Sequence, residues 1–256
     1  MTWLIPMVLM AASHVSAIAA TYQLSPVADT TIFAEQNGNS DYDSTSDGGP
    51  NLWVATTFGS QMRRALLRFD LSAIAPGSRI TSVQLSLYEI RARDNGNVAL
   101  HRVLASWGEA TSSAGDSGSG APAEAGDATW AYRYFPSVTW SVRGGDISPQ
   151  PSATIFVGSP GERYTWSSTQ MMADVQGWLN APATNHGWIM IGDEAREGSA
   201  KRFGSRENSV ASLRPILTVH AEPPVADASG DVPLPFWAPL LLGSVLLACS
   251  TARSRR

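Results

Sequence analysis

The feature that most constrains the fold is a two-residue alternation of apolar and polar side chains. In "RRALLRFDL", residues 63–71, one face of the predicted strand consists of Ala65, Leu67, Phe69 and Leu71, and the other of Arg64, Leu66, Arg68 and Asp70. In "ITSVQLSLYEI", residues 80–90, one face consists of Val83, Leu85 and Leu87. Strands of this kind bury one face and present the other, so the pattern predicts an all-β protein.

Other strand-like runs and one helix complete the predicted elements. The runs fall near 30–34, 52–58, 98–104, 153–157, 188–191, 201–206 and 215–220. Only "SSTQMMADVQGWLN" has a helical period: Ser168 or Thr169 can cap it, and Asn180-Ala181-Pro182 ends it. Its predicted apolar face consists of Met172, Val175, Trp178 and Leu179. Many strands with a lone helix predict a β-sandwich.

The first twenty residues are predicted to be an export signal. "MTWLIPMVLMAASHVSAIAA" is apolar and ends in the small-residue pattern Ala17-Ile18-Ala19, which is typical of a signal peptide at 1–20. No Lys or Arg precedes the apolar run, so an uncleaved N-terminal anchor is the alternative. An exported domain is then predicted at 21–220.

A second sorting segment is predicted at the other end. A Pro-containing linker at 221–231 leads into 232–256, where an apolar run precedes Arg253, Arg255 and Arg256. Arginines held on the cytoplasmic side would leave the main body facing outward. The Pro motif, apolar run and basic tail resemble the PEP-CTERM class of bacterial sorting signals, although "VPLP" stands where that class usually has Val-Pro-Glu-Pro. The resemblance implies removal by a membrane protease-transferase, and a plain membrane anchor is the alternative.

Charge and cysteine usage exclude several classes of protein. The formal charge is −4 with three arginines in the tail, so loss of the tail would leave −7. Nucleic acid and anionic membrane surfaces are therefore excluded as bulk partners. The single cysteine, Cys249, lies in the tail, so the predicted exported domain has no disulfide.

No catalytic constellation is found in the sequence. It has no G-x-S-x-G, no H-E-x-x-H and no phosphate-cradling glycine loop, and the exported domain has no thiol nucleophile. His101 lies in a predicted strand and is interpreted as structural or surface. Carboxylates such as Glu109, Asp116, Glu124 and Asp127 define no glycosidase pair without a measured separation. A non-catalytic protein is therefore predicted.

The acidic loop "EQNGNSDYDSTSDGG" predicts a calcium site. Asp41, Asp43 and Asp47 supply the hard oxygen ligands that calcium takes. Counted from Asp41, the loop glycine of an EF-hand would fall at Ser46 and the closing glutamate at Leu52, so the site would be of another type. A solvated loop without metal is the alternative.

Aromatic residues are concentrated around the segment 110–128, which is rich in Gly, Ala and Ser and is predicted to be a flexible loop. Trp107, Trp130 and Trp140 flank this segment. Exposed near a loop, they would form stacking platforms for sugar rings, whereas buried they would be ordinary sandwich core.

Five segments in a fixed order resemble one known family. They are "RRALLRFDLSAIAPGSRITSVQLSLYEI", "DATWAYRYFPSVTWSVRGGD", "WSSTQMMADVQGWLNAPATNHGWIMIGDEA", "KRFGSRE" and "RPILTV". The region from about 28 to 220 is similar to the DNRLRE domains of bacteria and archaea. The resemblance implies a secreted, non-catalytic jelly-roll β-sandwich, and some members of the family are carbohydrate-binding modules for alginate and related uronic-acid polymers.

The charged strand residues inside these segments have two interpretations. A polyuronate has a carboxylate on each sugar, and the planar guanidinium of arginine binds carboxylates bidentately. The leading ligand candidates are Arg64 and Arg202, followed by Arg68 and Arg206. The same strands can instead form internal ion pairs, which are predicted to include Asp70, Glu207 and Arg214.

The sequence therefore predicts an exported protein that binds an acidic polysaccharide through these arginines and the three tryptophans. The alternative is a structural or adhesive protein of the cell surface or biofilm matrix, in which the charged strands hold the fold together. A polysaccharide-degrading enzyme is a third interpretation.

Overall fold

Strands dominate the computed structural model, which describes residues 19–34 and 45–224. The strands are β1 (Ala20–Leu24), β2 (Pro26–Phe33), β3 (Thr45–Asp47), β4 (Asn51–Thr56), β5 (Met62–Phe69), β6 (Arg79–Ala92), β7 (Gly96–Val103), β8 (Ala121–Pro122), β9 (Tyr132–Tyr134), β10 (Val138–Thr139), β11 (Ile147–Val157), β12 (Arg163–Trp166), β13 (Trp188–Ile191), β14 (Lys201–Gly204) and β15 (Ile216–Glu222). The helix α1 spans Thr169–Asn180, and short 3₁₀ turns lie at Pro182–Thr184 and Ala211–Leu213. For these residues the predicted all-β class with one helix is confirmed.

Most of the strands belong to one curled antiparallel sheet, in the order β1-β15-β6-β14-β4-β5-β13-β7-β11. β12 also pairs with β6, while β2 pairs with β5 and has β3 and then β8 at its edge. Because β6 is long, its first part pairs with β15 and β12 and its last part with β14. This continuity across a curled sheet is consistent with the jelly-roll sandwich implied by the resemblance.

The main core fills the inside of the curled sheet. Phe69 of β5 and Leu85 of β6 pack there with Trp166, Trp188 and Phe203. Edge-to-face ring contacts join Trp188 to Phe69, with centroids 6.3 Å apart, and Trp166 to Phe203, with centroids 6.0 Å apart. The faces predicted for β5 and β6 from their alternation are therefore confirmed.

The helix α1 packs on this core through a face that differs by one residue from the predicted one. Ser168 is the N-cap, and its hydroxyl accepts a hydrogen bond of 2.9 Å from the backbone N–H of Met171. Met171 is fully buried, whereas the predicted Met172 is only partly buried. The reason is helical spacing, since Met171 lies one full turn before the buried Val175.

A second apolar cluster lies on the outer face of β2, β5 and β13. There Ile32, Leu66 and Ile189 pack against Trp107 and Trp130, which belong to the long connection between β7 and β11. This connection, residues 104–146, is named the covering segment. It contains the stretch 110–128 predicted to be flexible, whose ends are joined by hydrogen bonds of 2.7 and 2.8 Å from backbone N–H groups to the Asp127 carboxylate. Its flexibility stays a prediction.

Several predicted segments fall outside the described residues. They comprise almost all of the signal at 1–20, the sorting segment at 232–256, and Asp41 and Asp43 of the predicted calcium loop. Asp47 is the last residue of β3. β1 begins at Ala20 and pairs with β15, which extends to Glu222 and so takes in the start of the predicted linker. Within residues 19–34 and 45–224, no helix has the length and hydropathy needed to cross a membrane.

Candidate functional site

Three side chains form a row across neighbouring strands on the outer face of the sheet. Arg202 of β14 lies opposite Trp53 of β4 on one side and opposite Arg91 of β6 on the other. Directly opposed residues bring their side chains to the same face of a sheet, about 5 Å apart. Arg91 is exposed, and Trp53 and Arg202 are partly exposed. The sheet register therefore places two guanidinium groups and an indole side by side.

A β-bulge in β6 brings Arg91 into this row. Phe203 pairs with Glu89 and Arg202 pairs with Arg91, so Ile90 has no partner opposite it on β14. In a regular strand Glu89 and Arg91 would share one face. The extra residue changes the direction of the side chains, so Glu89 is fully buried while Arg91 is exposed. Burial raises the pKa of Glu89 to about 7, against the opposing effect of the nearby Lys201 ammonium.

The row borders a groove of about 250 Å³ whose walls alternate between guanidinium groups and aromatic rings. Phe58 is 63% exposed, and Cζ of Arg93 lies 5.1 Å from its ring centroid. The Cζ atoms of Arg202 and Arg63 lie 5.6 and 5.3 Å from a ring centroid of Trp53. The groove and its bordering residues are named the arginine groove: Trp53, Phe58, Arg63, Arg91, Arg93 and Arg202.

Among the described residues, the arginine groove has an excess of positive charge. None of the described residues that line it is a carboxylate. Within the part of the chain that the structure describes, Arg91 and Arg93 form no ion pair, and Nε of Arg202 is buried without a hydrogen-bond partner. Guanidinium groups bind carboxylates bidentately, and aromatic rings pack against apolar ring faces. The groove can therefore bind a carboxylate attached to a ring.

The covering segment reaches the arginine groove through Gly118. A Cβ atom at this position would lie 2.9 Å from Nη1 of Arg63 and 2.9 Å from Cζ2 of Trp53. Only glycine fits so close to the indole without movement of its neighbours, and the segment thereby covers part of Trp53.

Arg64, a leading ligand candidate from the sequence, is held by the protein itself. Its Nε and Nη2 donate to the two carboxylate oxygens of Glu194, at 2.6 and 2.8 Å, and its Nη1 donates to the carbonyl oxygen of Gly144 at 2.8 Å. Its Cζ also lies 4.6 Å from a ring centroid of Trp130. Arg64 thus makes the bidentate contact expected of it, but the carboxylate is internal. For this residue the geometry favours the internal-pairing alternative.

Arg206 also has internal carboxylates as neighbours. Its Nη2 donates to Oε2 of Glu109 at 2.7 Å, and its Nε lies 2.8 Å from Oε1 of Glu207. The buried Asp29 belongs to the same cluster. Burial raises the pKa of Glu109 to about 7 and the pKa of Asp29 well above its usual range, and the negative charge of Glu207 adds to both shifts.

The remaining charged candidates lie outside the arginine groove. Cζ of Arg68 lies 5.4 Å from a ring centroid of Trp107. The Asp70 carboxylate accepts hydrogen bonds from the backbone N–H and the hydroxyl of Ser72, at 2.9 and 2.8 Å, which lower its pKa. Nε of Arg214 donates to the carbonyl oxygen of Asn208 at 2.7 Å. Asp70 and Arg214 therefore bind nearby chain atoms in local turns, where the sequence predicts ion pairs.

The three tryptophans predicted as stacking platforms are buried. Trp107, Trp130 and Trp140 are 1%, 7% and 4% exposed. The indole N–H of Trp107 donates to the carbonyl oxygen of His186 at 2.8 Å, and that of Trp140 donates to the carbonyl oxygen of Thr129 at 2.9 Å. Their rings are covered by the sheet and by their own segment, so the geometry favours the core alternative.

A larger cleft of about 590 Å³ lies between the end of β5 and α1. Its walls are mostly apolar and include Ile74, Trp178 and Leu179, with Arg68 and Asp70 among its charged groups. Because those charges have opposite signs and its aromatic wall is part of the core, this cleft has no preference for an anion. The arginine groove is the stronger candidate for an acidic ligand.

The sequence predicts one residue of the arginine groove and misses the other five. Arg202 is a predicted ligand residue, but Trp53, Phe58, Arg63, Arg91 and Arg93 are not. The available signal is "EIRARD", in which two arginines follow the end of a clear period-two strand. Its meaning depends on the bulge at Ile90, which alternation alone does not reveal.

Comparison with known proteins bears on one part of the chain. Residues 20–114 match the family model of carbohydrate-binding module family 96. The match extends from β1 through β7 and includes Trp53, Phe58, Arg91 and Arg93, but not Arg202. No curated protein matches the chain.

Proposed function

We propose that the chain is a carbohydrate-binding module that binds a uronic-acid polysaccharide in the arginine groove. The observation that carries this proposal is the row of Trp53, Arg202 and Arg91, next to Phe58 and Arg93, with no carboxylate among the described lining residues. The match of residues 20–114 to carbohydrate-binding module family 96 supports a glycan as the ligand. A positive groove on a chain with a net charge of −4 supports an acidic one.

Two kinds of contact would hold the glycan. A uronate carboxylate accepts a pair of charge-assisted hydrogen bonds from Arg91 or Arg202, and such bonds are about twice as strong as neutral ones. The apolar face of the sugar ring packs on Phe58, whose ring is 63% exposed. Because the carboxylate contact is electrostatic and close to solvent, added salt is expected to weaken the binding.

Binding without catalysis is part of the same proposal. The lining residues that the structure describes include neither a carboxylate nor a histidine, which are the usual groups for acid–base cleavage of a glycosidic bond. Export by the segment at 1–20 and tethering or release by the segment at 232–256 complete the proposal on sequence grounds.

A structural or adhesive role is the second candidate function. It is favoured by the internal pairing of Arg64 with Glu194 and of Arg206 with Glu109, because both arginines are ligand candidates from the sequence. In this interpretation the charged strands serve to hold the covering segment against the sheet.

Affinity electrophoresis of the full-length chain distinguishes these candidates. Gels containing alginate or pectate are expected to retard the chain, whereas gels with a neutral glucan are not. Arg91→Ala and Arg202→Ala are each expected to weaken the retardation at least about tenfold, because each removes a hydrogen bond to a charged group. Assays for new reducing ends and unsaturated sugars are expected to remain negative.

Arg79→Ala is the matched control. Arg79 lies at the start of β6, as Arg91 lies near its end, and it is exposed and paired with Glu222 outside the groove. Its substitution removes the same charge and is expected to leave the retardation unchanged. Equal losses in Arg79→Ala and Arg91→Ala would show non-specific charge attraction. An absence of binding to every glycan would favour the structural role.

A further inference from the structure

Three carboxylates from distant parts of the chain meet beside β2, where Asp29 alternates with Ala28 of the second apolar cluster and so lies on the opposite side of the strand. Asp29 lies in β2, Glu109 in the covering segment, and Glu207 just after β14. One carboxylate oxygen of each residue lies within 4.8 Å of the corresponding oxygen of the other two. Asp29 is buried, Glu109 is partly buried and Glu207 is exposed, so the cluster extends from the interior to the surface.

A single guanidinium compensates only part of this negative charge. Arg206 contacts all three residues: Nη2 donates to Glu109 at 2.7 Å, and Nε lies 2.8 Å from Oε1 of Glu207 and 3.9 Å from Oδ1 of Asp29. Its backbone N–H also donates to Oδ2 of Asp29 at 2.9 Å. Three carboxylates with one arginine leave two negative charges when all are ionised, and like charges this close repel one another.

One carboxylate oxygen of the cluster has no hydrogen-bond donor among the residues that the structure describes. Oδ1 of Asp29 is buried and has no hydrogen-bond partner, in a residue whose exposure is 0%. Of the two Asp29 oxygens, Oδ1 is the one that faces Arg206 Nε. The same Nε also contacts Glu207, so Oδ1 lies on the Glu207 side of the cluster. Burying a carboxylate oxygen without a hydrogen-bond donor is costly, and the contact with Arg206 Nε at 3.9 Å offsets only part of that cost. The position of Oδ1 toward the other carboxylates indicates a missing positive partner.

We propose that Asp29, Glu109 and Glu207 bind a divalent cation, and that the ion is calcium. Carboxylate oxygens are the ligands that calcium prefers, and two Ca–O bonds of 2.3–2.6 Å allow ligand oxygens up to about 5 Å apart. A charge of two balances the charge that Arg206 leaves over. The exposed Glu207 side supplies water ligands and a route of access, while the buried Asp29 anchors the ion.

This cation joins β2, the covering segment and the chain after β14 at one point. It would therefore hold the covering segment in place near Gly48, where Oε1 of Glu109 lies 3.2 Å from the position of a Gly48 Cβ atom. The site differs from the loop site at Asp41, Asp43 and Asp47, and it is independent of glycan binding in the arginine groove.

Calcium titration of the full-length chain tests the site directly. After removal of metal with EDTA at pH 7.5, calorimetry with CaCl₂ is expected to show saturable binding. A calcium concentration about 100 times Kd is expected to raise Tm by on the order of 5 °C. Glu207→Gln and Asp29→Asn are each expected to weaken calcium binding at least about tenfold and to remove the Tm shift.

Two control variants locate the ion. Glu222→Gln removes an exposed carboxylate that pairs with Arg79, and the Asp41→Asn, Asp43→Asn, Asp47→Asn triple variant removes the loop ligands. Both are expected to keep the calcium response. A response lost in the loop variant but kept in Glu207→Gln would overturn the proposal. Absence of calcium binding to the wild-type chain at pH 7.5 would also overturn the proposal. In that case a proton shared between the carboxylates would relieve their repulsion. If Asp29→Asn fails to fold, Glu207→Gln decides, because Glu207 is exposed.

Discussion

Two regions on the outside of the sheet each have an arginine stacked on an aromatic ring, and they differ in how far the rest of the chain covers them. On the outer face of β5, Arg64 lies 4.6 Å from a ring centroid of Trp130, under the covering segment. In the arginine groove, Arg93 lies 5.1 Å from the ring centroid of Phe58, and both side chains are exposed. The region of Arg64 and Trp130 is named the covered face, and the arginine groove is named the open face.

The difference shows that residue type and strand position do not decide whether an arginine binds a ligand. Arg64 is saturated by both oxygens of Glu194 and by the carbonyl oxygen of Gly144. Arg91 and Arg93 meet no carboxylate within the described ranges. An arginine is available to a ligand where the rest of the chain supplies no competing carboxylate, and the tertiary structure decides this.

The largest expected effect is a loss of stability, and it distinguishes Trp130 on the covered face from Phe58 on the open face. Trp130→Ala is expected to lower the free energy of unfolding by about 3–5 kcal/mol, because the indole is 7% exposed and its removal leaves a cavity under Arg64. Phe58→Ala is expected to change it by less than about 1 kcal/mol, since that ring is 63% exposed. Phe58→Ala should instead weaken retardation by alginate about 2- to 10-fold.

Urea denaturation followed by Trp fluorescence measures the first quantity, and affinity electrophoresis measures the second. Equal losses of stability in the two variants would contradict the distinction between a covered and an open face. Unchanged glycan retardation in Phe58→Ala would remove the ring from the proposed binding site.

The fold could be predicted because its determinants are local. The alternation in β5 and β6 indicates which side chains enter the core, and Phe69 and Leu85 are found there. The N-cap of α1 is likewise a local signal, since Ser168 caps the N–H group of Met171 three residues later.

The candidate site could be predicted only in part, because its determinants are long-range. Glu194, the partner of Arg64, lies 130 residues further along the chain, so no local pattern reveals that Arg64 is occupied. The covering segment is rich in Gly, Ala and Ser, and its composition does not show that its tryptophans dock on the sheet. Arg91 faces outward only because of the bulge at Ile90.

A smaller effect is expected from the buried carboxyl beneath the open face. The pKa of Glu89 is raised from 4.5 to about 7 by burial, so the folded chain keeps a proton that the unfolded chain has lost. The stability that Glu89 contributes is therefore present below about pH 4.5 and is lost as the pH rises to about 7 and above. Glu89→Gln is expected to be more stable than the wild type at pH 8, by about 1–3 kcal/mol.

Denaturation curves at pH 5 and pH 8 check the sign for Glu89. The pKa of Glu109 is also about 7, so Glu109 contributes to the pH dependence of both proteins. The difference in free energy of unfolding between wild type and Glu89→Gln therefore reports on Glu89 alone. Glycan retardation at pH 8 is expected to be equal, since the bulge separates Glu89 from the groove. A variant that is less stable than the wild type at pH 8 would show that Glu89 is held ionised by Lys201.

The smallest expected effect concerns the shape of the cation on the open face. Arg93→Lys keeps the charge but loses the planar fork and the stacking on Phe58 at 5.1 Å. Because an exposed cation–π contact contributes about 0.5–1 kcal/mol, retardation by alginate is expected to weaken about 2- to 5-fold, with an unchanged Tm.

Arg79→Lys is the control, because it makes the same substitution at an arginine that is paired with Glu222 outside the groove. It is expected to bind alginate like the wild type. If Arg93→Lys also binds alginate like the wild type, the groove binds the glycan through its positive charge and not through the shape of the guanidinium group. The open face would then bind a ligand only because no carboxylate of the chain pairs with its arginines, and the bidentate geometry of Arg64 on the covered face would not be needed there.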